Sequence, residues 1–210
     1  MFEHVDAYCE RLVPGFWDEP LNAVTNLSFI IAALLIARGA ARQGSLRRPS
    51  LMIPLFLLSA TGVGSFLFHT YANGWSAVAD TAALSLCLLF TLYFGARRWL
   101  ETNIFVSLLW PAGMIVAAML LAQLVPVPGA FYLGPLAAGG AMAVAARRAR
   151  HPAWKWVGAA VVVFIPSFIF RAMDEAVCAA WPYGTHFLWH ILNGIVLGLA
   201  IWPLSKNDTK

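Results

Sequence analysis

His186 and His190, in the stretch Thr185-His186-Phe187-Leu188-Trp189-His190, stand four residues apart and so share one face of any helix that carries them. A third histidine, His69, closes Gly64-Ser65-Phe66-Leu67-Phe68-His69-Thr70, with Ser65 one helical turn before it. Asp80 follows after a short turn, Tyr71-Ala72-Asn73-Gly74-Trp75. Neutral imidazole is a good zinc ligand, two histidines one turn apart clasp one ion, and three protein ligands leave a position open for water. Zinc lowers that water's pKa to about 7, which yields a nucleophile at neutral pH. In that scheme Asp80 is the general base that later returns the proton to a leaving amine. Ser65 donates to the developing oxyanion. The reaction class is metal-assisted amide hydrolysis. Two other readings use the same residues: a haem-binding electron carrier built on His69 and one histidine of the final pair, and a receptor or lipid-binding protein that turns over nothing. Ser65 also lies beside Gly62 and Gly64, where a small residue can serve packing between membrane helices.

The elements that must position these side chains are hydrophobic. Of 210 residues, 60% are hydrophobic and 11% charged, and the mean hydropathy is +0.72. Soluble domains run at about 45–50% apolar and about 25% charged. A water-soluble globule of this size cannot hide so much apolar surface. Cytosolic enzymes, disordered tails and nucleic-acid-binding domains are excluded. A pI near 9.2 does not revive the last of these, because the net charge of +4 comes from arginines between apolar runs. The opening Met1-Phe2-Glu3-His4-Val5-Asp6 has no basic region, so no cleavable signal peptide is expected.

A spanning helix needs roughly 20 mostly apolar residues. Such runs fall near 22–41, 51–70, 77–96, 103–125, 129–146, 155–171 and 185–204. The fourth and fifth are parted only by Val125-Pro126-Val127-Pro128-Gly129, and the sixth is short and carries Pro166. The expected fold is all-α: a polytopic seven-transmembrane helix bundle in a single domain. It comprises an acidic N-terminal segment (1–21), the spans (22–204) and a tail (205–210). With seven spans, twelve of the 14 lysines and arginines fall on one side and only Arg11 and Arg171 on the other. The positive-inside rule then puts the N-terminus outside and the C-terminus in the cytoplasm of a multi-pass membrane protein. His69, Asp80, His186 and His190 all come to the outer end of their spans. Ionisable residues within spans are rare and mark functional sites. His4 and His151 fall outside the spans and read as solvated side chains.

The N-terminal segment carries Asp6, Glu10, Asp18 and Glu19, followed by Asn22 and Asn26. Hard oxygen ligands suit calcium, although an acidic stretch before a helix is also an ordinary solvated start. Of the three cysteines, Cys87 is buried in a span, while Cys9 and Cys178 share the outer side, where disulfides persist. A Cys9–Cys178 bridge is expected to tie the N-terminal segment to the loop before the last span.

Ser65-x-x-x-His69, then Asp80, then His186-x-x-x-His190 resembles the alkaline ceramidase family, within the superfamily that includes adiponectin-type receptors. Glu19-Pro20-Leu21-Asn22-Ala23-Val24-Thr25-Asn26 is similar to the family's Glu-x-x-Asn-x-x-Ser/Thr-Asn, and Gly62-Val63-Gly64-Ser65 to its glycine-rich approach to the first histidine. The likeness extends from Tyr8-Cys9-Glu10 to the last span. It implies an intramembrane zinc amidase that cleaves ceramide, a membrane lipid, into a sphingoid base and a fatty acid near the outer face. The implied zinc ligands are His69, His186 and His190, with Asp80 and Ser65 as catalytic partners. The implied calcium ligands are Glu10, Glu19, the carbonyl of Tyr8 and an acid whose place falls nearest Ala7, with Asp6 one residue away. The family's asparagine ligand falls on Leu12. The family's cystine matches Cys9 and Cys178.

Overall fold

The computed structural model describes residues 2–207, so Lys210 of the charge partition lies outside the described residues. Two helices, α1 (Pro20–Thr25) and α2 (Leu27–Arg42), form one rod broken at Asn26. Three long helices follow: α3 (Pro49–Tyr71), α4 (Gly74–Trp99) and α5 (Ile104–Leu124). A 3-10 turn at Ala130–Tyr132 leads into α6 (Leu133–Arg148), then come α7 (Ala153–Val177) and α8 (His186–Ile201), which ends in a second 3-10 turn at Trp202–Ser205. Among the described residues there is no strand; one isolated bridge pairs His4 with Asn73.

Six rods are long and apolar enough to cross a membrane: Pro20–Arg42, Pro49–Tyr71, Gly74–Trp99, Ile104–Leu124, Ala153–Val177 and His186–Ser205. The chain is a multi-pass, all-helical membrane protein. The seventh rod, α6, has 16 residues. At 1.5 Å per residue it rises about 24 Å, short of the roughly 30 Å of hydrocarbon. The front of that run is taken by Gly129, at φ 75°, and by the 3-10 turn, so the helix begins four residues later than the hydropathy pattern does. Pro166, by contrast, does not shorten α7, which runs 25 residues through it. Neighbouring helices compensate for a proline's missing N–H in such bundles.

Each rod packs on its sequence neighbours, and α8 closes the ring against α2. Large apolar side chains such as Leu34, Phe56, Leu109, Met119 and Val162 point outward, as a lipid-facing surface requires. Inside, the two ends of the bundle differ. Where α2 and α8 finish, the packing is apolar, with Ala40, Leu51, Ile201 and Leu204 fully enclosed. At the opposite end the buried side chains are Glu10, Arg11, Glu19, Asn22, His69, Asp174, His186 and His190. That polar end is where the chemistry lies.

Candidate metal centre

His69 sits in the last turn of α3, which stops when Ala72 adopts a left-handed conformation at φ 44° and its N–H returns to the Phe68 carbonyl at 2.8 Å. Asn73 then caps α4 reciprocally with Ser76: Ser76 N–H donates to Asn73 Oδ1 at 3.3 Å, and Asn73 N–H donates to Ser76 Oγ at 3.1 Å. The N-terminal segment is pinned to this corner by the Val5 N–H, which donates to the Ala72 carbonyl at 2.8 Å. Across the bundle, α8 begins at His186. Its first N–H groups have no partner within the helix. Asp174, from the end of α7, supplies one: its Oδ1 accepts from Thr185 N–H at 2.6 Å and His186 N–H at 2.8 Å, and its Oδ2 from Cys9 N–H at 3.1 Å. Cys9 and Cys178 are joined as a disulfide, with Cα atoms 5.2 Å apart, so the N-terminal segment and the α7–α8 connection form one covalent unit.

The three histidines converge. One ring nitrogen from each of His69, His186 and His190 lies within 4.8 Å of the others, and all three residues are buried. Their ring centroids are 4.5 to 5.2 Å apart. His69 Nδ1 meets the Glu19 Oε2 at 2.5 Å. A carboxylate only accepts, so the ring proton is on Nδ1 and the lone pair is left on Nε2, which is buried without a partner. His190 Nδ1 is 3.1 Å from the Thr25 hydroxyl, which itself donates to the Leu21 carbonyl at 2.7 Å and therefore accepts from the imidazole. His186 Nδ1 is also buried without a partner. The Tyr8 ring stacks on His186 at 3.7 Å, and the Arg171 guanidinium lies over Tyr8 at 5.2 Å. Buried polar atoms are nearly always paired, and an orphan calls for an explanation such as an ion. Two orphaned imidazole nitrogens in one cluster of three rings fit a divalent metal, and the Glu19–His69 pair is the carboxylate support that metal-binding histidines usually carry. Residues 8–205 match the Ceramidase family.

The chain belongs to the ceramidase family. No curated protein matches it.

Beside the histidines, Asp80 lies in the second turn of α4, close to Ser65 and His69. Gly64 makes that approach possible: a Cβ there would stand 2.7 Å from the Ala79 carbonyl oxygen and 3.2 Å from Asp80 N. Inward from this end an apolar chamber is lined by Tyr132, Trp189, Phe164, Met142, Leu197 and Trp99. It follows α8 from Trp189 to Ala200, about 16 Å at the helical rise.

Of the residues implied for calcium, Glu10 and Glu19 already hold bonds within the protein. Both oxygens of Glu10 accept backbone N–H groups, from Leu21 at 2.7 Å and Asn22 at 2.8 Å, and so cap α1. Burial pushes the Glu10 carboxyl above its ordinary value, although those two bonds oppose it. Glu19 accepts from Arg11 Nε at 2.6 Å and Asn22 Nδ2 at 3.1 Å besides His69. Burial works to raise it, but the bonds from His69, Asn22 and Arg11 prevail and hold it below the usual carboxylate range. The Tyr8 carbonyl accepts Arg11 N–H at 3.3 Å, and Asp6 is exposed. His151, expected to be merely solvated, accepts Ala153 N–H on Nδ1 at 3.2 Å and so caps α7.

Five partners of the histidines escape sequence reading: Glu19 as the support of His69, Thr25 of His190, Asp174 and Tyr8 of His186, and Arg11 behind Glu19. Glu19 and Thr25 left a signal as members of the quoted lead-in motif, and Tyr8 as the start of the likeness, though not as partners of the histidines. Asp174 reaches His186 across 12 positions of sequence and Arg11 reaches His69 across 58, while Tyr8 stacks on His186 from the opposite end of the chain.

Proposed function

We propose that this ceramidase-family protein hydrolyses the amide bond of ceramide or a related long-chain N-acyl lipid, with zinc held by His69, His186 and His190. The observation that carries the proposal is the buried cluster of three imidazoles, two of whose nitrogens lack partners, beside Asp80 and above an apolar chamber. Zinc on three neutral imidazoles supplies Lewis acidity, polarising a carbonyl and making water acidic enough to ionise near pH 7. The protein does the rest. The apolar chamber along α8 receives part of the acyl chain. Asp80 takes the proton from the attacking water and delivers it to the departing nitrogen, so one water is consumed and an amine and a fatty acid are released. Ser65, close to Asp80, is the hydroxyl donor for the developing oxyanion. Haem is disfavoured on steric grounds: rings 4.5 to 5.2 Å apart leave no room for a porphyrin between two axial imidazoles. A receptor on the same scaffold would keep the metal and lack turnover.

The orientation belongs to the same proposal. α6 makes the seventh crossing, the N-terminus is outside, and the metal centre lies near the outer face. The arginine partition supports this, as does the placement of His69 at the end of α3 and of Asp80 and His186 near the starts of α4 and α8. Impermeant thiol reagents should label a cysteine placed at Phe2 from outside and one placed at Lys206 only after permeabilisation.

The deciding experiment is metal analysis of the purified protein together with a hydrolysis assay over several N-acyl sphingoid lipids. One zinc per chain is expected, with release of free fatty acid that stops after chelation and returns with zinc. Purified protein without metal, or with zinc but no amide turnover on any such lipid, would overturn the proposal.

A further inference from the structure

The acidic N-terminal segment offers a ring of hard oxygens that by residue type suits calcium, yet it already contains a cation. Arg11 is 4% exposed. Its Nε donates to Glu19 Oε1 at 2.6 Å, its Nη1 to the Gly15 carbonyl at 3.0 Å and its Nη2 to the His69 carbonyl at 3.0 Å. Asp18 Oδ2 stands 3.9 Å from Nη1. Two carboxylates and two backbone carbonyls are the ligand types that calcium takes at about 2.3–2.6 Å. A calcium ion bound through Glu19 Oε1 at such a distance would overlap the guanidinium that occupies this oxygen. Both Glu10 oxygens and the Tyr8 carbonyl are already engaged by backbone N–H groups, and Asp18 Oδ2, which has no hydrogen-bond partner, faces the guanidinium.

We infer that Arg11 is the resident cation of this cradle: it takes the place of a calcium ion and acts as a positioning residue for the metal centre. Arginine stays protonated at all physiological pH values. Its Nε occupies Glu19 Oε1 and leaves Oε2 to hold His69 Nδ1, which turns the Nε2 lone pair toward His186 and His190. The bond from Nη2 to the His69 carbonyl fixes the same residue from its backbone side. Side chain and main chain of one metal ligand are thus held by a single guanidinium. A metal-ion cradle would exchange with its surroundings, whereas this one is permanently filled.

The inference depends on the zinc reading only through His69, and its calcium arm does not depend on it at all. Calcium chloride titrated into the zinc-loaded wild-type protein in detergent, followed by calorimetry and by thermal melting with and without a calcium-selective chelator, should give no binding heat and no shift in melting temperature. Arg11→Gln, which removes the charge, should weaken zinc binding by roughly 10–100-fold, the usual effect of losing a metal ligand's support. Arg11→Lys, which restores a point charge at Glu19, should recover most of that loss. Stoichiometric calcium binding by the wild type, or a melting temperature that rises with calcium, overturns the inference, and so does an Arg11→Lys protein as defective as Arg11→Gln. If Arg11→Gln does not fold, the wild-type titration decides. Wild-type protein that binds zinc and ignores calcium but hydrolyses no N-acyl lipid refutes the proposed function and leaves this inference standing.

Discussion

Asp174 is the most demanding test of how the metal centre is built, because it touches no substrate and no ring nitrogen. Its carboxylate is 1% exposed and accepts three backbone N–H groups, two from the start of α8 and one from Cys9. Hydrogen bonds to a charged group contribute about 1.5–3 kcal/mol each, and a buried N–H left without a partner costs a similar amount. Asp174→Ala removes all three acceptors at once, and bonds that share one carboxylate do not add fully. The expected loss is about 5 kcal/mol. Asp174→Asn retains one oxygen, which can still accept from Thr185 and His186, while its new amide group opposes the Cys9 N–H. The expected loss is about 2–3 kcal/mol. For a chain of this size that corresponds to a fall in melting temperature of roughly 5–10 °C for Asn and 10–20 °C for Ala. Because His186 is the first residue of α8, zinc affinity should fall in the same order as the N-terminus of the helix loosens. The assay is thermal melting of the zinc-loaded protein in detergent, paired with competition for zinc by a chelator. Two results refute the reasoning: Asn and Ala equally destabilising within about 1 kcal/mol, or a melting shift in both with zinc affinity unchanged.

Three further predictions follow from neighbouring parts of the site. Asp80→Asn should keep the zinc content of the wild type and lose at least about 100-fold in amide turnover, the usual contribution of a general base; unchanged turnover removes Asp80 from the chemistry. Gly64→Ala places a methyl group 2.7 Å from the Ala79 carbonyl oxygen and must push α3 from α4, whereas Gly113→Ala meets nothing within 4 Å. Overpacking of that kind costs about 1–3 kcal/mol, so only the first variant should lower both melting temperature and turnover; equal behaviour of the two would deny the close approach its role. The disulfide closes a sequence separation of 169 residues. In a free chain such a loop is worth about 5 kcal/mol, and helices that stay inserted lower that ceiling. Cys178→Ser should therefore melt earlier than the wild type under oxidising conditions and alike with it under reductant, as read by circular dichroism at both conditions.

What could be read from the sequence divides along the membrane. Residues on spans obey two periodic constraints, hydropathy over about 20 positions and the helical turn of 3.6, so the bundle, the His186–His190 face and the Ser65–His69 face were legible. Where apolar patterning and backbone chemistry disagree, the pattern misleads. Hydropathy cannot see that Gly129 turns the chain left-handed and delays α6, nor that Pro166 is absorbed inside α7. The partners of the histidines belong to neither period. Arg11, Tyr8 and Glu19 lie on a segment that crosses nothing and folds back over the polar end of the ring of helices. Asp174 reaches α8 from another rod. An acidic segment read residue by residue suggests an ion, because each carboxylate is counted as a free ligand. Once folded, the oxygens of Glu10 and Glu19 are taken by backbone N–H groups, Asn22, His69 and Arg11, whose position in the sequence, one residue after Glu10, does not disclose that its guanidinium will point at Glu19 and at the carbonyl of His69. The spans determine where a metal can be gripped, and the segment outside them determines how each ligand presents its lone pair. This is why a substitution at Arg11 or Asp174, neither of which offers an atom to the metal, should be felt at the metal.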